Sequence, residues 1–352
     1  MVWESGMADT SSSWMHLDTV SLLNISPSIP SRVYESFLDK SVLSRLSPRD
    51  AVEFLFSDQN RYAMTHMNDG RKRGPSALMK YLLSGLASLR TDFNYNPSIL
   101  RVNKNVGVLS NTRALEWAIK QKRAKKIDRL VAGPNLVIDP LDCDSILLSK
   151  EIDVVVTPSR WPTDYFLSKA PSLSTKIREW ACGVDTDLWT PSPEIGSQWL
   201  IYDKTDDRSK AILGGVKQAL DRESISYEII RYGDYNQSEY LDKLHRSAAM
   251  VFLSNSESQG LALFEAWSCN VPTLVYDRRY WEYEGRSFHS ECIIPYVNDI
   301  NGVRFETIND IDRSLSSFQD GIDRNGFHPR DFVLSKYTLE KAARAYLELF
   351  DI

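Results

Sequence analysis

Two glutamates, Glu257 and Glu265, stand with seven residues between them in a stretch whose polar groups can bind a polyol ligand. An apolar run of strand length, residues 248–254, precedes them, and another, residues 273–276, follows. Between the two runs, apolar residues recur at helical spacing. The stretch therefore predicts strand, loop, helix and strand, the repeating unit of a doubly wound α/β sheet, and it puts the loop where such sheets bind ligands.

The residue types in this loop indicate which groups a ligand would carry. Gly260 allows the backbone to come close to a ligand, and the N–H groups of Gly260, Leu261 and Ala262 lie at a helix N-terminus suited to phosphate. Glu257 in the loop can accept hydrogen bonds from sugar hydroxyls, and Glu265 can reach back to a second polyol such as ribose. The alternative is that Glu257 caps the helix and Glu265 is a solvated helix carboxylate.

The stretch Glu-Ser-Gln-Gly-Leu-Ala-Leu-Phe-Glu-Ala-Trp-Ser-Cys-Asn-Val-Pro, residues 257–272, resembles the E-x7-E signature of the family 4 retaining glycosyltransferases of the GT-B fold. The chain departs from that signature at Ser258 and Asn270, where the family has glycine. Asn tolerates the left-handed backbone of a helix end, whereas Ser258 is expected to stiffen the loop. The resemblance implies that Glu257 positions a donor sugar and Glu265 the donor ribose, and that further donor contacts come from Ser258, Gln259, Gly260 and Leu261.

Basic residues follow the next strand-like run upstream, residues 199–202. The family places an arginine and then a lysine at this point to neutralise the donor diphosphate. Lys204 matches the first position in charge, and the second is either Arg208 or Lys210. Such side chains are well suited to offset leaving-group charge without a metal. A further strand, residues 226–231, leads to a turn at Tyr232 that we expect to border the nucleotide base.

The segment Gly-Val-Asp-Thr-Asp-Leu-Trp-Thr-Pro, residues 183–191, is similar to the turn before the second domain in the same family. It contains a D-x-D triplet, which recurs at residues 142–144 and 310–312. D-x-D binds metal and nucleotide in the other large glycosyltransferase fold, GT-A. Three-residue matches arise by chance and no GT-A arrangement surrounds these, so we predict no metal site.

The first half carries weaker signals. Residues 61–67 form a plausible strand, and Gly70, Gly74 and Pro75 then lead into a helix with apolar residues at helical spacing. This segment is either a glycine-rich loop that faces the donor phosphates, as in GT-B enzymes, or a solvated basic turn. His66, at the strand end, either contacts substrate or is packed in the core.

Three more strand-like runs, residues 106–110, 129–132 and 152–157, are followed by turn residues. Because the carboxyl ends of parallel strands share one edge of a sheet, we expect polar groups there to face the acceptor: Asn111, Asn135 and Ser159. The basic helix end at residues 120–126 is either a solvated face or a weak peripheral contact with an anionic membrane or other polyanion.

Bulk properties limit the classes of function. A chain of 352 residues suffices for two α/β domains, and its net charge of −5 gives no drive toward nucleic acid. No apolar run reaches membrane-spanning length, and the spacing of the four cysteines predicts reduced thiols, so we expect a cytoplasmic protein. We predict an N-terminal extension over residues 1–58, a first domain over 59–193 with a final helix over 337–352, and a second domain over 194–336.

The resemblance implies an α/β protein of the GT-B fold, with two Rossmann-like domains whose parallel sheets face each other across a cleft and a C-terminal helix that crosses back to the first domain. It implies retaining, metal-independent transfer of a hexose-type sugar from a nucleotide-sugar, such as a UDP- or GDP-sugar, to a hydroxyl of a carbohydrate or glycoconjugate, without a cofactor. Two alternatives stay open: a GT-B nucleotide-sugar epimerase, and a catalytically silent protein that binds nucleotide-sugars.

Overall fold

The computed structural model describes residues 20–23, 74–96, 102–194, 196–206 and 210–351. Over these residues the chain forms two all-parallel β-sheets with helices packed on them, and one separate antiparallel hairpin. The strand predicted at residues 61–67, together with His66 and Arg208, lies outside the described residues. The α/β class expected from the alternation of apolar strands and amphipathic helices is confirmed.

The first sheet has six parallel strands in the order β2-β1-β3-β4-β5-β6. Its strands are β1 (Val20–Leu23), β2 (Phe93–Tyr95), β3 (Asn105–Val108), β4 (Arg129–Ala132), β5 (Val154–Thr157) and β6 (Ile177–Glu179). Its helices are α1 (Gly74–Ser88), α2 (Thr112–Arg123) and α3 (Arg160–Lys169), with short helical turns at Asp142–Ser145, Ile146–Leu148 and Pro171–Thr175. The strands predicted between residues 106 and 157 are present with small shifts at their ends.

Strand β1 corrects the prediction that residues 1–58 are an extension outside the first domain. It pairs with β2 on one side and with β3 on the other, so it is an interior strand of the first sheet. Val20, Leu22 and Leu23 are fully buried. A four-residue segment has too little periodicity to separate a buried strand from a helix segment, so the sequence did not identify it as part of the first sheet.

The second sheet has five parallel strands in the order β13-β10-β9-β7-β8. Its strands are β7 (Gln198–Lys204), β8 (Tyr227–Arg231), β9 (Ser247–Ser254), β10 (Thr273–Tyr276) and β13 (Gly302–Phe305). Its helices are α4 (Lys210–Arg222), α5 (Gln237–His245), α6 (Leu261–Ser268), α7 (Ile311–Asp323) and α8 (Pro329–Lys336). Because β7 lies between β8 and β9, the chain winds away from β7 in both directions, and the loops after these strands open a crevice there.

The last helix returns to the first sheet. Helix α9 (Leu339–Leu347) and the turn Glu348–Phe350 pack against α1, where a Cβ on Gly85 would lie 2.3 Å from the Leu339 carbonyl oxygen. The Trp180 indole also donates to the Ala342 carbonyl at 2.8 Å. The helix begins at Leu339, later than predicted, because the Thr338 side chain caps it by accepting from the Lys341 N–H.

The hairpin formed by β11 (Tyr280–Tyr283) and β12 (Arg286–His289) follows the second sheet's β10 in sequence but packs on the first half of the chain. Trp281 lies 5.8 Å from the Trp161 ring and 4.9 Å from the Tyr165 ring, centroid to centroid. Arg286 forms a bidentate pair with Asp142, at 2.6 and 3.1 Å. The hairpin therefore joins the two halves on one side of the cleft.

The basic segment at residues 120–126 is partly neutralised within the fold. Lys122 donates to Asp153 at 2.5 Å, and Arg123 donates to Glu151 at 3.0 Å. Across the described ranges, no helix combines the length and the apolar character needed to cross a bilayer. A weak membrane contact at this segment stays a prediction.

Candidate active site

A cleft of about 800 Å³ lies between the two sheets. Four of its lining residues come from the first half of the chain: Ala77, Leu78, Asn135 and Pro158. The others belong to β7 and to the segments that follow β6, β8 and β9: Trp189, Tyr202, Lys204, Tyr232, Gly233, Tyr235, Gln237, Tyr240, Glu257, Ser258, Gln259, Gly260, Leu261, Ala262 and Glu265. The cleft thus contains most of the residues that the sequence predicted to contact a donor.

Glu257 and Lys204 form an ion pair in the cleft wall. The Lys204 Nζ lies 2.7 Å from a Glu257 carboxylate oxygen, which also accepts from the Ser254 hydroxyl at 3.0 Å. Burial lowers the pKa of Lys204, but the Glu257 charge and hydrogen bond outweigh it, so the net pKa is raised. Lys204 also lies 4.6 Å from the centre of the Tyr232 ring. The ammonium group is therefore held charged at the end of β7, beside open space.

Gly260 gives the loop after β9 its shape. Its φ of +87° falls in the left-handed region that glycine adopts readily, and a Cβ there would lie 3.2 Å from Leu263 Cδ1. This conformation starts α6 directly after the loop, and Leu261 and Ala262 in its first turn are lining residues, so the N-terminus of the helix lies at the cleft. The arrangement suits an anionic ligand group.

Glu265 lies at the base of the cleft, in a hydrogen-bonded chain. The Tyr81 hydroxyl donates to Glu265 at 2.5 Å, and the Trp189 indole N–H donates to the Tyr81 oxygen at 2.8 Å. Glu265 is 8% exposed, Tyr81 is 2% exposed and Trp189 is 1% exposed. Burial, followed by the nearby Glu265 charge, raises the pKa of Tyr81 well above its usual value. Glu265 is therefore a partnered carboxyl group and not the solvated helix carboxylate of the alternative reading.

Tyrosines form one side of the cleft. The Tyr202 and Tyr235 hydroxyls are 2.7 Å apart, and the Tyr240 hydroxyl donates to the Ala262 carbonyl at 2.8 Å. Burial raises the pKa of all three phenols, so these groups remain neutral hydrogen-bonding groups at ordinary pH. This wall lies beside Tyr232, at the turn predicted to border a nucleotide base.

The loop that carries Glu257 is held by residues from the first half of the chain. The Trp161 indole donates to the Glu257 carbonyl at 2.7 Å, and the Ser159 hydroxyl donates to the Ser258 carbonyl at 2.5 Å. The Gln259 amide pairs with the backbone of Cys182, accepting at 2.9 Å and donating at 2.6 Å. The loop is therefore fixed to the opposite half of the molecule before any ligand binds.

These contacts correct the predicted role of Ser159. It does not face an acceptor, because it is fully buried and its hydroxyl supports the loop after β9. A partner from a distant part of the sequence takes the hydrogen-bonding capacity that the prediction assigned to a ligand. Gln259 lines the cleft while its side-chain amide pairs with the Cys182 backbone, and its contact with a donor stays a prediction.

Of the remaining predicted residues, Asn135 lines the cleft, whereas Asn111 and Lys210 are not among the described residues that line it. Asn111 instead caps α2, its side chain accepting from the Ala114 N–H at 3.1 Å. Lys210 is exposed at the first position of α4, and Gly74 is the first residue of α1. Asn111 is thus a correction, because a polar residue directly before a helix serves that helix first.

One aspartate of each D-x-D triplet has a partner within the fold. Asp185 accepts from the Asp187 and Leu188 N–H groups, and Asp142 pairs with Arg286. Asp310 forms a capping box with Thr307. Within the part of the chain that the structure describes, no group of three or more His, Cys, Asp or Glu side chains is arranged to hold a metal.

Two parallel sheets that meet across a polar cleft, with a final helix that crosses back to the first sheet, define the GT-B class of fold. A chain of the GtfA/B complex is similar in structure, with a TM-score of 0.51 at 12% identity, over 77% of this chain and 60% of that chain. The prediction of the GT-B fold is confirmed.

Two other solved structures are similar with lower TM-scores. The pneumococcal O-GlcNAc transferase GtfA, in complex with UDP and GlcNAc, is 10% identical with a TM-score of 0.48, over 71% of this chain and 57% of that chain. Sucrose-phosphate synthase from Thermosynechococcus elongatus is 12% identical with a TM-score of 0.49, over 95% of this chain and 98% of that chain. The chain spans less than two thirds of the GtfA chain. No protein-family model and no curated protein sequence matches it.

Sequence reasoning missed the residues that hold the site together. In the sequence, Tyr81 falls among the apolar residues of the helix predicted after Pro75, and Trp189 falls in the turn segment at residues 183–191. The available signal is that a buried tyrosine or tryptophan needs a partner for its polar atom. That rule indicates that a partner exists, but not which one, so the chain from Trp189 through Tyr81 to Glu265 becomes visible only in the fold.

Proposed function

We propose that this chain is a GT-B glycosyltransferase that moves a hexose-type sugar from a nucleotide-sugar to an acceptor hydroxyl of a carbohydrate or glycoconjugate, with retained anomeric configuration and without a metal. The observation that carries the proposal is the cleft itself, which holds both glutamates of the E-x7-E stretch, the Lys204 ammonium and the N-terminus of α6. Similar proteins include one solved with UDP and GlcNAc, which supports a sugar nucleotide as ligand.

In this proposal the donor diphosphate lies between Lys204 and the first N–H groups of α6, which begins at Leu261. Both are positive, and both lie where negative charge grows as the nucleotide departs. Either Arg208 or Lys210 adds a second cation. The Lys204 ammonium supplies the charge compensation that a metal supplies in other transferases, so the proposed reaction needs no metal.

The two glutamates hold the two polyols of the donor. Glu257, in the loop after β9, accepts hydrogen bonds from the sugar, and Glu265, deeper in the cleft, accepts them from the ribose. Asn135 and Pro158 line the cleft from the first half of the chain, and in this proposal they border the acceptor. Tyr232 and Tyr235 border the base.

The chemistry breaks the bond between the sugar's anomeric carbon and the phosphate oxygen, and forms a bond from that carbon to the acceptor oxygen on the same face. The acceptor proton goes to the departing phosphate oxygen. No enzymic base is needed for this route, because the phosphate takes the proton while Lys204 stabilises its remaining charge. The protein contributes orientation and charge compensation.

A ligand screen followed by turnover assays tests the proposal. Thermal unfolding is measured with UDP-, GDP- and ADP-sugars, because binding to the folded state alone raises the midpoint. The stabilising donor is then incubated with and without carbohydrate acceptors. Acceptor-dependent release of nucleotide supports a transferase. Release of nucleotide with epimerised sugar and no acceptor indicates the epimerase alternative, and binding without turnover indicates the silent alternative.

The variant Glu265→Gln should raise the donor KM by at least about tenfold, because a hydrogen bond to a charged group typically contributes about 1.5–3 kcal/mol. Gln keeps the size of the side chain and an oxygen that can accept from Tyr81. The matched control is Glu151→Gln, which alters another shielded glutamate, paired with Arg123 and outside the cleft. Steady-state kinetics with varied donor measure the effect, and a wild-type donor KM in Glu265→Gln would contradict the assigned role.

A further inference from the structure

The hydrogen bonds from Trp189 through Tyr81 to Glu265 have a fixed direction. An indole N–H can only donate, so the Tyr81 oxygen accepts from Trp189 at 2.8 Å. The single proton of the Tyr81 hydroxyl is then directed to the Glu265 carboxyl oxygen, 2.5 Å away. A phenol hydroxyl normally rotates to suit its surroundings, and here the indole fixes its orientation.

This series of hydrogen bonds also connects the two halves of the molecule. Tyr81 lies on α1, which packs on the first sheet, Trp189 lies in the segment between the two sheets, and Glu265 lies on α6 of the second sheet. Glu265 lines the cleft, whereas Tyr81 is not among the described lining residues. Within the described residues, the hydrogen bond to Glu265 therefore connects Tyr81 to a carboxyl group that lines the cleft.

We propose that Tyr81 is a positioning residue that holds the Glu265 carboxyl group in the orientation that receives the donor ribose hydroxyls. This inference rests on the proposed function. It assigns the first half of the chain a part in donor binding, because α1 then helps to set the geometry of a group on α6. Burial raises the pKa of Tyr81, so the phenol keeps its proton, and the direction of the hydrogen bond holds, at any ordinary pH.

The variant Tyr81→Phe removes one oxygen atom and leaves the ring. We expect the donor KM to rise by about three- to tenfold, the range expected for one intramolecular hydrogen bond, with kcat unchanged within about twofold. The reason is that the ribose is held equally in the ground state and in the transition state. A variant that loosened the whole cleft would lower kcat as well.

A nucleotide without ribose hydroxyls separates positioning from general structural support. Binding of UDP, GDP and ADP is compared with that of their 2′,3′-dideoxy forms, in the wild type and in Tyr81→Phe. The inference predicts weaker binding of the ribonucleotide by about three- to tenfold and unchanged binding of the dideoxy form. Equal weakening of both forms would assign Tyr81 a purely structural role and overturn the inference.

Two further variants supply a control and a second test of the inference. Tyr346→Phe is the matched control, because the buried Tyr346 hydroxyl has no hydrogen-bond partner among the described residues and lies outside the cleft. It should leave both nucleotide affinities unchanged. Trp189→Phe frees the Tyr81 hydroxyl to rotate and should weaken ribonucleotide binding in the same direction, which keeps the test available if Tyr81→Phe does not fold.

The outcomes also separate this inference from the proposed function. If the wild type binds none of the three nucleoside diphosphates, the proposed function fails, and the inference fails with it. If the wild type binds one of them and Glu265→Gln weakens that binding while Tyr81→Phe and Trp189→Phe do not, the inference alone is overturned.

Discussion

Replacing Lys204 with Met lowers the kcat of sugar transfer by about two to three orders of magnitude, the size typical for loss of one preorganised group that stabilises transition-state charge. The Lys204 ammonium lies at the end of β7, in the cleft wall, 2.7 Å from Glu257. Met keeps the apolar stem of the side chain and removes the ammonium group, together with its contact with the Tyr232 ring. The expected loss is thus in kcat, more than in donor KM.

Lys122→Met is the control for this prediction. Lys122 forms a comparable ion pair, with Asp153, in which its side chain is 16% exposed against 31% for Lys204. It lies outside the cleft, so removing it should alter stability without altering transfer. Single-turnover kinetics with saturating donor measure the chemical step in both variants. If Lys204→Met retained the wild-type kcat in a folded protein, the assigned charge compensation would be wrong.

The pH dependence follows from the direction of the Lys204 pKa. Burial favours the neutral amine, but the Glu257 charge and hydrogen bond favour the ammonium more strongly, so the net pKa is raised above the ordinary lysine value. A group whose pKa is raised loses its proton only as the pH rises through that higher value. Between about pH 7 and pH 9 we therefore expect no loss of kcat from deprotonation of Lys204.

The second half of the chain was predictable because its signals are local. The strand, glycine loop and helix around Gly260 follow one another without interruption, and each obeys its own short-range rule: buried apolar run, left-handed glycine, apolar helical stripe. The placement of Glu257 and Glu265 at one cleft then follows from the general position of loops in parallel sheets. The position of these residues could be predicted because the local sequence patterns agree with the global fold.

The supporting contacts could not be predicted in the same way. Tyr81 and Glu265 are 184 positions apart in sequence, and Cys182 and Gln259 are 77 apart. No spacing rule connects residues at such distances, since their meeting depends on how two complete sheets pack. The same limit explains Ser159. Its predicted role facing the acceptor rests on its own turn, whereas in the structure its hydroxyl donates to the Ser258 carbonyl in a loop of the other half.

The packing of the hairpin of β11 and β12 is another long-range contact that could not be predicted from the sequence. The sequence after β10 gave no sign that residues 280–289 pack on the first half of the chain. In the structure, Trp281 contacts Trp161 and Tyr165, and Phe288 lies 5.5 Å from the Tyr165 ring. Because the Trp161 indole donates to the Glu257 carbonyl, the hairpin supports the residue that fixes the Glu257 loop.

Replacing Trp281 with Ala should therefore have two effects. Truncating a buried tryptophan typically costs about 3–5 kcal/mol, so the free energy of the first unfolding transition in urea should fall by about that amount. The cavity also removes the ring that packs against Trp161. We expect the hold on the Glu257 carbonyl to loosen and the donor KM to rise, while the Lys204 ammonium and its charge remain in place.

Tyr283→Ala is the matched comparison, since the Tyr283 ring also stacks on Trp281, with ring centroids 6.4 Å apart, but Tyr283 is 42% exposed. Truncating it should change the unfolding free energy by no more than about 0.5 kcal/mol, as is usual for surface substitutions. If Trp281→Ala unfolded like Tyr283→Ala and kept the wild-type donor KM, the hairpin would be a surface attachment without influence on the cleft. If instead only Trp281→Ala loses both stability and donor affinity, the hairpin is the element that keeps the two halves in register around the donor.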